Sequence, residues 1–479
     1  MSTFNNLLLM GAEATAESGG GGGGGGDPFT PSLVPASVMF DGTADKLDKT
    51  FSSGSAQSKI VWSSWVQRCK ITPDQVIFFA INAPVGNAID RIFFTTDNKI
   101  TVSVQNTSFA STIETSTRTF QDTAWYHILL SIDGSATEGI QLFVNGDAVS
   151  LTRTLGANFT GTMFAWGNAM PHKIGYQNTG SGAADSFFYN GYMAQCTFLT
   201  GQSIQSGDVA VSDFLGTHTF GTNGSQVIPK GDSAVALLAS NAGGNSFSLD
   251  FSNSGSLGND ASSNNNDFTP SSMTSANASN NTPSKMYATM NPLIPSSSTL
   301  TFAEGNRRVT STGGSDGGVF ATLPLPTTGT TEFQMTTNDG DGRVGISCYD
   351  NALAVSKPSD NAMGGGAVNF NAAYGYTEDG NLRTVTASGI TTPAFGGTWS
   401  TSDVITVRYN ADANELNFLK NNVAQGTTVS TVAGITYYAC VANFNNYDCT
   451  LHFDEAEFPH TIGTGNKTIN TADLATPSF

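Results

Sequence analysis

The chain has 479 residues, too many for one ordinary β-sandwich, so two or three domains are expected. Charged residues make up 12% while Gly alone numbers 53, and helix formers are scarce beside 31 Phe, 12 Tyr and 5 Trp, a composition suited to pleated sheets. A net charge of −18 with only 20 Lys and Arg excludes a phosphate-backbone partner, because neutralising phosphates takes clustered cations.

In chain order, residues 1–30 form a leader. Its apolar cluster Leu7, Leu8, Leu9 and Met10 is far too short for a membrane span or a signal core, and the first basic residue is Lys46. Eight glycines, Gly19 to Gly26, follow; polyglycine is a flexible tether, so the leader is expected to be a sticky docking peptide on a leash. Without an export signal, release by lysis inside a virus particle is one route to the outside.

Residues 31–216 read as a first sandwich. Short apolar runs such as "KIVWSSWVQR", "QVIFFAIN", "WYHILLSID" and "FFYNGYMAQCTFL" alternate with turn clusters. In Trp125 to Ile132 nearly every residue is apolar or aromatic, which predicts a strand covered on both faces. The return run Ile140 to Val144 ends in Asn145-Gly146, the pair that best supplies two positive φ angles at a hairpin. A short helix is expected around Asp208 to Leu215. Residues 217–297 are a Gly/Ser/Asn-rich connector laid over the first sandwich, with "SAVALLAS" and "FSLDF" as strands within it. Residues 298–479 carry a second set of strands, including "TEFQMTT", "RVGISCYD" and "DVITVRYNADANELNFLKNN". No motif recurs at a fixed period, which excludes a propeller or solenoid.

Two resemblances follow from these motifs. Trp125-x-His127 followed by "IQLFVNGD", with "SWVQRCKI" before it and "HKIGYQNTGSGAADSFFYNGYMAQCTFL" after it, resembles the laminin G-like, concanavalin A-type jelly rolls over residues 38–200. That family usually has an acidic residue where this chain has Ala194 and Gln195. "TWSTSDVITVRYNADANELNFLKNNVAQG" resembles the SPRY pattern, with Asp403-Val404-Ile405, Leu416-Asn417-Phe418 and Lys420-Asn421 at its telling positions. Ser402, Thr406 and Asn422 stand where that pattern has Gly. The likeness implies an all-β chain of two antiparallel sandwiches, a jelly roll and then a SPRY-like one. The order of segments, from "NNLLLMGA" through "LGNDASSNNNDFTP" to "NTPSKMYATMNPL", resembles tail-fibre and related virion proteins of marine bacteriophages. This implies a virion-surface location, docking to other virion proteins through the leader, contact with host glycan or protein, and a homo-oligomer. No heptad repeat enforces that oligomer.

Catalytic chemistry finds little support. A jelly-roll glycanase needs paired carboxylates, and the densest cluster, Asp454, Glu455 and Glu457, lacks the E-x-D-x-x-E arrangement and reads as a solvated strand face. "GGSDG" at 313–317 matches G-x-S-x-G, but the prolines after it forbid the helix that a nucleophile elbow requires. "NDGDG" at 338–342 reads as a hairpin turn rather than a calcium loop, because the twelfth position is Cys348 and not a bidentate Glu. Asp41 and Asp45 are a weaker calcium candidate still. The five histidines are scattered; His127 reads as structural. The five cysteines show no CxxC spacing and read as buried thiols, although Cys440 and Cys449, flanking an expected reversal, are placed to pair. No catalytic residue, cofactor or metal is therefore assigned.

Rim aromatics beside Asn and Gly are the ligand-contact candidates: Trp166 in "FAWGNAMPH", and Tyr374 and Tyr376 in "NAAYGYTEDGN". The expected function is a non-enzymatic tail fibre, with a capsid-attached fibre next and a glycan hydrolase as the competitor of another class.

Overall fold

The computed structural model describes residues 33–82, 88–178, 183–219, 225–293, 300–311, 317–348, 372–386 and 389–474. The leader, including Leu7 to Met10, and the core of "GGSDG" lie outside them. The chain divides into two compact units between Ser284 and Lys285.

The first unit holds β1 (Ser37–Asp41), β2 (Lys46–Thr50), β3 (Lys59–Arg68), β4 (Gln75–Asn82), β5 (Ala88–Phe94), β6 (Ile100–Gln105), β7 (Ser111–Ser116), β8 (Trp125–Asp133), β9 (Ile140–Val144), β10 (Asp147–Val149), β11 (Leu151–Leu155), β12 (Pro171–Ile174) and β13 (Asn190–Thr200). It continues with β14 (Leu215–Thr219), β15 (Ser225–Pro229), helix α1 (Asp232–Asn241), β16 (Phe247–Leu249), β17 (Thr269–Ser271) and β18 (Ala278–Ser279). One sheet runs β10-β9-β8-β3-β13-β1-β18 with β16 also on β13; the other runs β11-β7-β6-β5-β4-β12-β2-β17.

The inner faces meet through aromatics. Trp62 of β3 stacks on Phe78 of β4, with centroids 4.2 Å apart and planes 9° apart. Phe78 also meets Phe198 of β13 at 5.2 Å. The sandwich is therefore closed by ring-on-ring packing across the gap.

All nine residues of β8 are buried, as the sequence implies. Its outer side is covered by the chain that follows β13: Phe214 lies 6.5 Å from the His127 ring and Ser203 donates to Asp133 at 2.8 Å. The Asn145-Gly146 turn has φ of 51° and 86°, and Asn145 Oδ1 accepts the His127 N–H at 2.8 Å, which ties the turn back to the neighbouring strand β8.

Three expectations are corrected here. "SAVALLAS" is not a strand but most of α1, whose Val235, Ala236 and Ala239 are buried along one stripe. An apolar run of that length is ambiguous by pattern, and Ala and Leu favour the helix once one face is covered. The helix expected near Asp208 is a single 3-10 turn, Val211–Asp213. Residues 225–284 belong to the first unit, since β16, β17 and β18 hydrogen-bond to β13, β2 and β1. At Gln195, where the family resemblance calls for an acid, β13 bulges with φ 50°, and the side chain donates to Lys230 O at 2.8 Å and Asp232 Oδ1 at 2.9 Å.

The second unit contains β19 (Leu300–Ala303), β20 (Arg308–Ser311), β21 (Gly317–Pro324), β22 (Thr330–Cys348), β23 (Ala372–Thr377), β24 (Leu382–Thr386), β25 (Gly389–Thr391), β26 (Val404–Asn410), β27 (Glu415–Lys420), β28 (Val423–Ser430) and β29 (Tyr437–His452). The order is β19-β20-β29-β22-β23-β24-β25, with β21 on β29, β26 on β22, and β27 and β28 following. β22 pairs with β26 through its first half and with β23 through its last, so it passes from one layer to the other. Across the gap Tyr376 of β23 meets Phe418 of β27 at 5.7 Å.

"NDGDG" is thus no hairpin turn. It lies within the 19-residue β22, where register shifts between Thr337 and Asp339 and between Gly340 and Asp341 bulge the strand against β29. Bulges let a Gly/Asp run bend a strand without ending it. Cys440 and Cys449 sit nine residues apart on the single strand β29, free and buried like the other three cysteines. At about 3.3 Å per residue they are far beyond disulfide reach. "HFDEAEF" leaves the sheet after His452: Asp454 caps the 3-10 turn Glu455–Glu457, Glu455 pairs with Lys285 at 3.3 Å, and Glu457 pairs with Arg307.

Candidate functional site

The two sheets of the first unit do not close fully at one edge. There β9 and β10 face β7 and β11 across a groove of about 850 Å³, a size that suits a small organic ligand. Its apolar floor comes from Ile140, Leu142, Val149 and Leu151.

Alternation along β7 places Thr112, Glu114 and Ser116 on the buried side, with Glu114 opposite Val102 of the core. A carboxylate on that side needs a partner. The register of β11 supplies one, because Arg153 lies directly across from Glu114. Arg153 donates through Nε at 3.1 Å and Nη2 at 3.0 Å to Glu114 Oε1. It also donates to Asn158 Oδ1 at 3.1 Å, and Asn158 in turn donates to Thr137 O. On the opposite lip Gln141 donates to Glu138 Oε2 at 3.2 Å.

The groove therefore presents a row of amide, guanidinium and carboxylate groups above an apolar floor, with Glu114, Arg153 and Gln141 on strands and Asn158 and Glu138 in the loops beside them. Hydrolysis of a glycoside would need one carboxylic acid ready to give a proton opposite a carboxylate. Here Glu114 is engaged by the Arg153 guanidinium at 3.0–3.1 Å and Glu138 by the Gln141 amide at 3.2 Å.

The ligand-contact candidates lie elsewhere, in cores. Trp166 is fully buried, 5.7 Å from Phe78 and parallel to it, so it has no free face for a sugar. Tyr374 and Tyr376 are not on a rim loop. They alternate onto the inner face of β23, both buried; Tyr374 Oη accepts the Val432 N–H at 3.1 Å, and Tyr376 donates to Gly397 O. Desolvation of that phenol pushes its pKa up to about 12.

Asp41 and Asp45 close their own turn. Asp41 Oδ1 accepts from Thr43 and Ala44 N–H at 2.7 and 2.9 Å, and Asp45 Oδ2 from Asp41 N–H and Asn277 at 2.9 and 2.7 Å. Among the described residues no group of three or more His, Cys, Asp and Glu side chains is arranged to hold a metal ion. His127 and His172 are buried and held neutral, their pKa values depressed by desolvation to about 3 and about 4, which suits packing rather than proton transfer.

Composition and spacing did not single out Glu114, Arg153 or Asn158. The available signal was a lone acid in the buried phase of "STIETS", legible only once β7 is known to lie beside β11.

Residues 41–201 match the family described as the concanavalin A-like lectin/glucanases superfamily. Among solved structures, the SPRY domain of human HERC1 is 16% identical, covering 34% of this chain and 96% of its own, with a TM-score of 0.27. A native heptameric SAP-like pentraxin from Limulus polyphemus is 14% identical, with coverage of 35% and 76% and a TM-score of 0.28. A human SPRY domain is 16% identical, with coverage of 32% and 94% and a TM-score of 0.26. No curated protein matches the chain.

Proposed function

We propose that the chain is a non-enzymatic surface protein of a bacteriophage particle, a tail fibre before a capsid-attached one, which binds host-surface glycan through its concanavalin A-like sandwich. The observation that carries the binding half is the Glu114–Arg153–Asn158 row over the apolar floor of the groove. Such a row meets sugar hydroxyls with acceptors and donors already oriented, so little ordering entropy is lost on binding. The virion half is supported by the order of motifs along the sequence, from "NNLLLMGA" through "LGNDASSNNNDFTP" to "NTPSKMYATMNPL". In this reading the leader docks to other virion proteins and copies of the chain assemble together.

The binding half is tested by incubating the full chain with purified host cell-surface polysaccharide. Retention without release of reducing ends is expected, and Arg153→Ala should weaken retention at least tenfold. Steady release of oligosaccharide would instead establish the glycanase competitor. The virion half is tested by deleting residues 1–26. Both units should melt as before while the chain disappears from purified particles; undiminished incorporation would defeat the docking role.

A further inference from the structure

The turn between β6 and β7 holds a residue that its backbone disfavours. The Asn106 N–H donates to Ala110 O at 3.0 Å and the Phe109 N–H to Asn106 O at 2.8 Å, which closes a hairpin loop over residues 107–109. Loops of this kind run through a type I turn into one left-handed residue, a slot that Gly fills because any Cβ there crowds the backbone. Here the slot holds Phe109, at φ 64°. Other hairpin loops of the chain put Asn98, Asn145, Asn414 and Asn421 in the left-handed region, the residue type best suited after Gly. Phe109 is also 47% exposed. A bulky apolar ring in a strained turn and in water is disfavoured twice, and strain of this sort gathers at ligand sites.

The ring is firmly mounted. Phe164 packs on it with centroids 5.0 Å apart. The Thr107 N–H donates to Thr162 O at 3.0 Å, their hydroxyls meet at 3.1 Å, and Asn106 Nδ2 donates to Thr160 O at 3.3 Å. Gln105 Nε2 donates to Phe109 O at 3.1 Å, while its Oε1 has no hydrogen-bond partner among the described residues. No charged residue occurs in 105–112 or in 157–168.

We propose that Phe109 and Phe164 form a stacking platform for a neutral pyranose ring, an aromatic subsite of the glycan-binding surface. This rests on the glycan-binding reading above and extends it along the chain from Asn158, which lines the groove, to Phe164. The exposed ring face takes the C–H face of a sugar, as aromatic faces take positively polarised edges. Asn106, Thr107 and Thr162 at the loop supply the uncharged partners that ring hydroxyls need. With no counter-charge in either segment, an anionic sugar or a phosphate gains nothing here.

The test uses the full chain and its Phe109→Gly and Phe109→Tyr variants, with two probes. One is a panel of neutral methyl pyranosides read by saturation-transfer NMR; the other is purified host polysaccharide read by retention. Phe109→Gly is expected to keep or raise the melting temperature, since Gly relaxes the turn, yet to lose saturation transfer and weaken polysaccharide retention at least tenfold. Phe109→Tyr should retain both. A lowered melting temperature with unchanged binding would make Phe109 a packing residue and overturn the platform while leaving the glycan-binding reading intact. If the unaltered chain retains no polysaccharide and binds no pyranoside, or captures only a host protein, both readings fall.

Discussion

Single residues in this chain carry work that their neighbours in sequence do not reveal. Asn145 supplies a left-handed turn at φ 51° and uses its side chain to accept the His127 N–H at 2.8 Å, while its own N–H donates to His127 O at 2.9 Å. One residue thereby ends β9 and extends its ladder on β8 by a further pair of bonds. His172 is equally committed. Its Nδ1 pairs with Met170 O at 2.8 Å, so Nε2 is left to accept the Gly167 N–H at 3.0 Å. A proton on Nε2 would set donor against donor inside a buried site, and the folded pKa is depressed to about 4. The unfolded residue takes its proton near the ordinary value of about 6.5. Between those values the unfolded state binds more protons, so His172 withdraws stability as pH falls from 6.5 towards 4. Asp90, whose pKa desolvation raises to about 6, acts in the opposite sense over part of that window, so a difference measurement is needed. Compared with His172→Gln in urea melts followed by tryptophan fluorescence, the stability advantage of the unaltered chain should shrink by about 1.4 kcal/mol per pH unit from pH 6.5 to 4. An advantage independent of pH would mean that the buried imidazole titrates normally.

At the scale of elements, what the sequence made legible was whatever a local pattern decides. The two-sided burial of β8 and the Asn-Gly reversal after β9 belong to that class. So does the β26–β27 hairpin with its flanking turns, where the structure explains two departures from the pattern it resembles. Ser402 and Asn422, which stand where the resemblance has Gly, sit at φ 73° and 65°. The backbone kept the turn and accepted a poorer residue, at a strain of about 1 kcal/mol for the serine. Elements fixed by distant partners were not legible. "TEFQMTTNDGDGRVGISC" looks like two strands and a turn because Gly and Asp end strands by propensity. Pairing with β29 along most of β22 outweighs that propensity and carries the strand straight through. The sequence places Tyr374 and Tyr376 in a rim loop for the same reason, since only the neighbours β22 and β24 make "AAYGYT" an inner strand. The groove was hidden differently. Glu114 and Arg153 lie 39 residues apart, and nothing local announces that their strands are adjacent. Phe109 did leave a local mark, an aromatic in the polar run "QNTSFAS", but without φ it looks like an ordinary exposed residue.

At the scale of the whole molecule, the boundary between units bears on what can fold alone. Composition suggests a connector over residues 217–297, and hence a first unit ending near 216 and a second beginning near 298. The hydrogen bonds argue for one boundary at Ser284 and Lys285 instead. Cutting at 216 would remove Phe247, Leu249, Val235 and Phe268, all buried beside β13 or its neighbours. At about 1.5–3 kcal/mol per buried side chain, the loss is about 6–12 kcal/mol, comparable with the total stability of about 5–15 kcal/mol of an ordinary domain. Starting at 298 would remove Met286, Tyr287 and Met290, likewise buried, together with the bonds Ala288 N–H to Ile469 O at 2.8 Å and Met290 N–H to Asn306 O at 2.9 Å. Polypeptides 33–284 and 285–479 should therefore each give a cooperative thermal transition and β-type circular dichroism, whereas 33–216 should be unfolded or aggregated and 298–479 should melt well below 285–479. A cooperative 33–216 would mean that α1 and β16 to β18 are a covering the sandwich can lose, and that its core is complete with the strands up to β13.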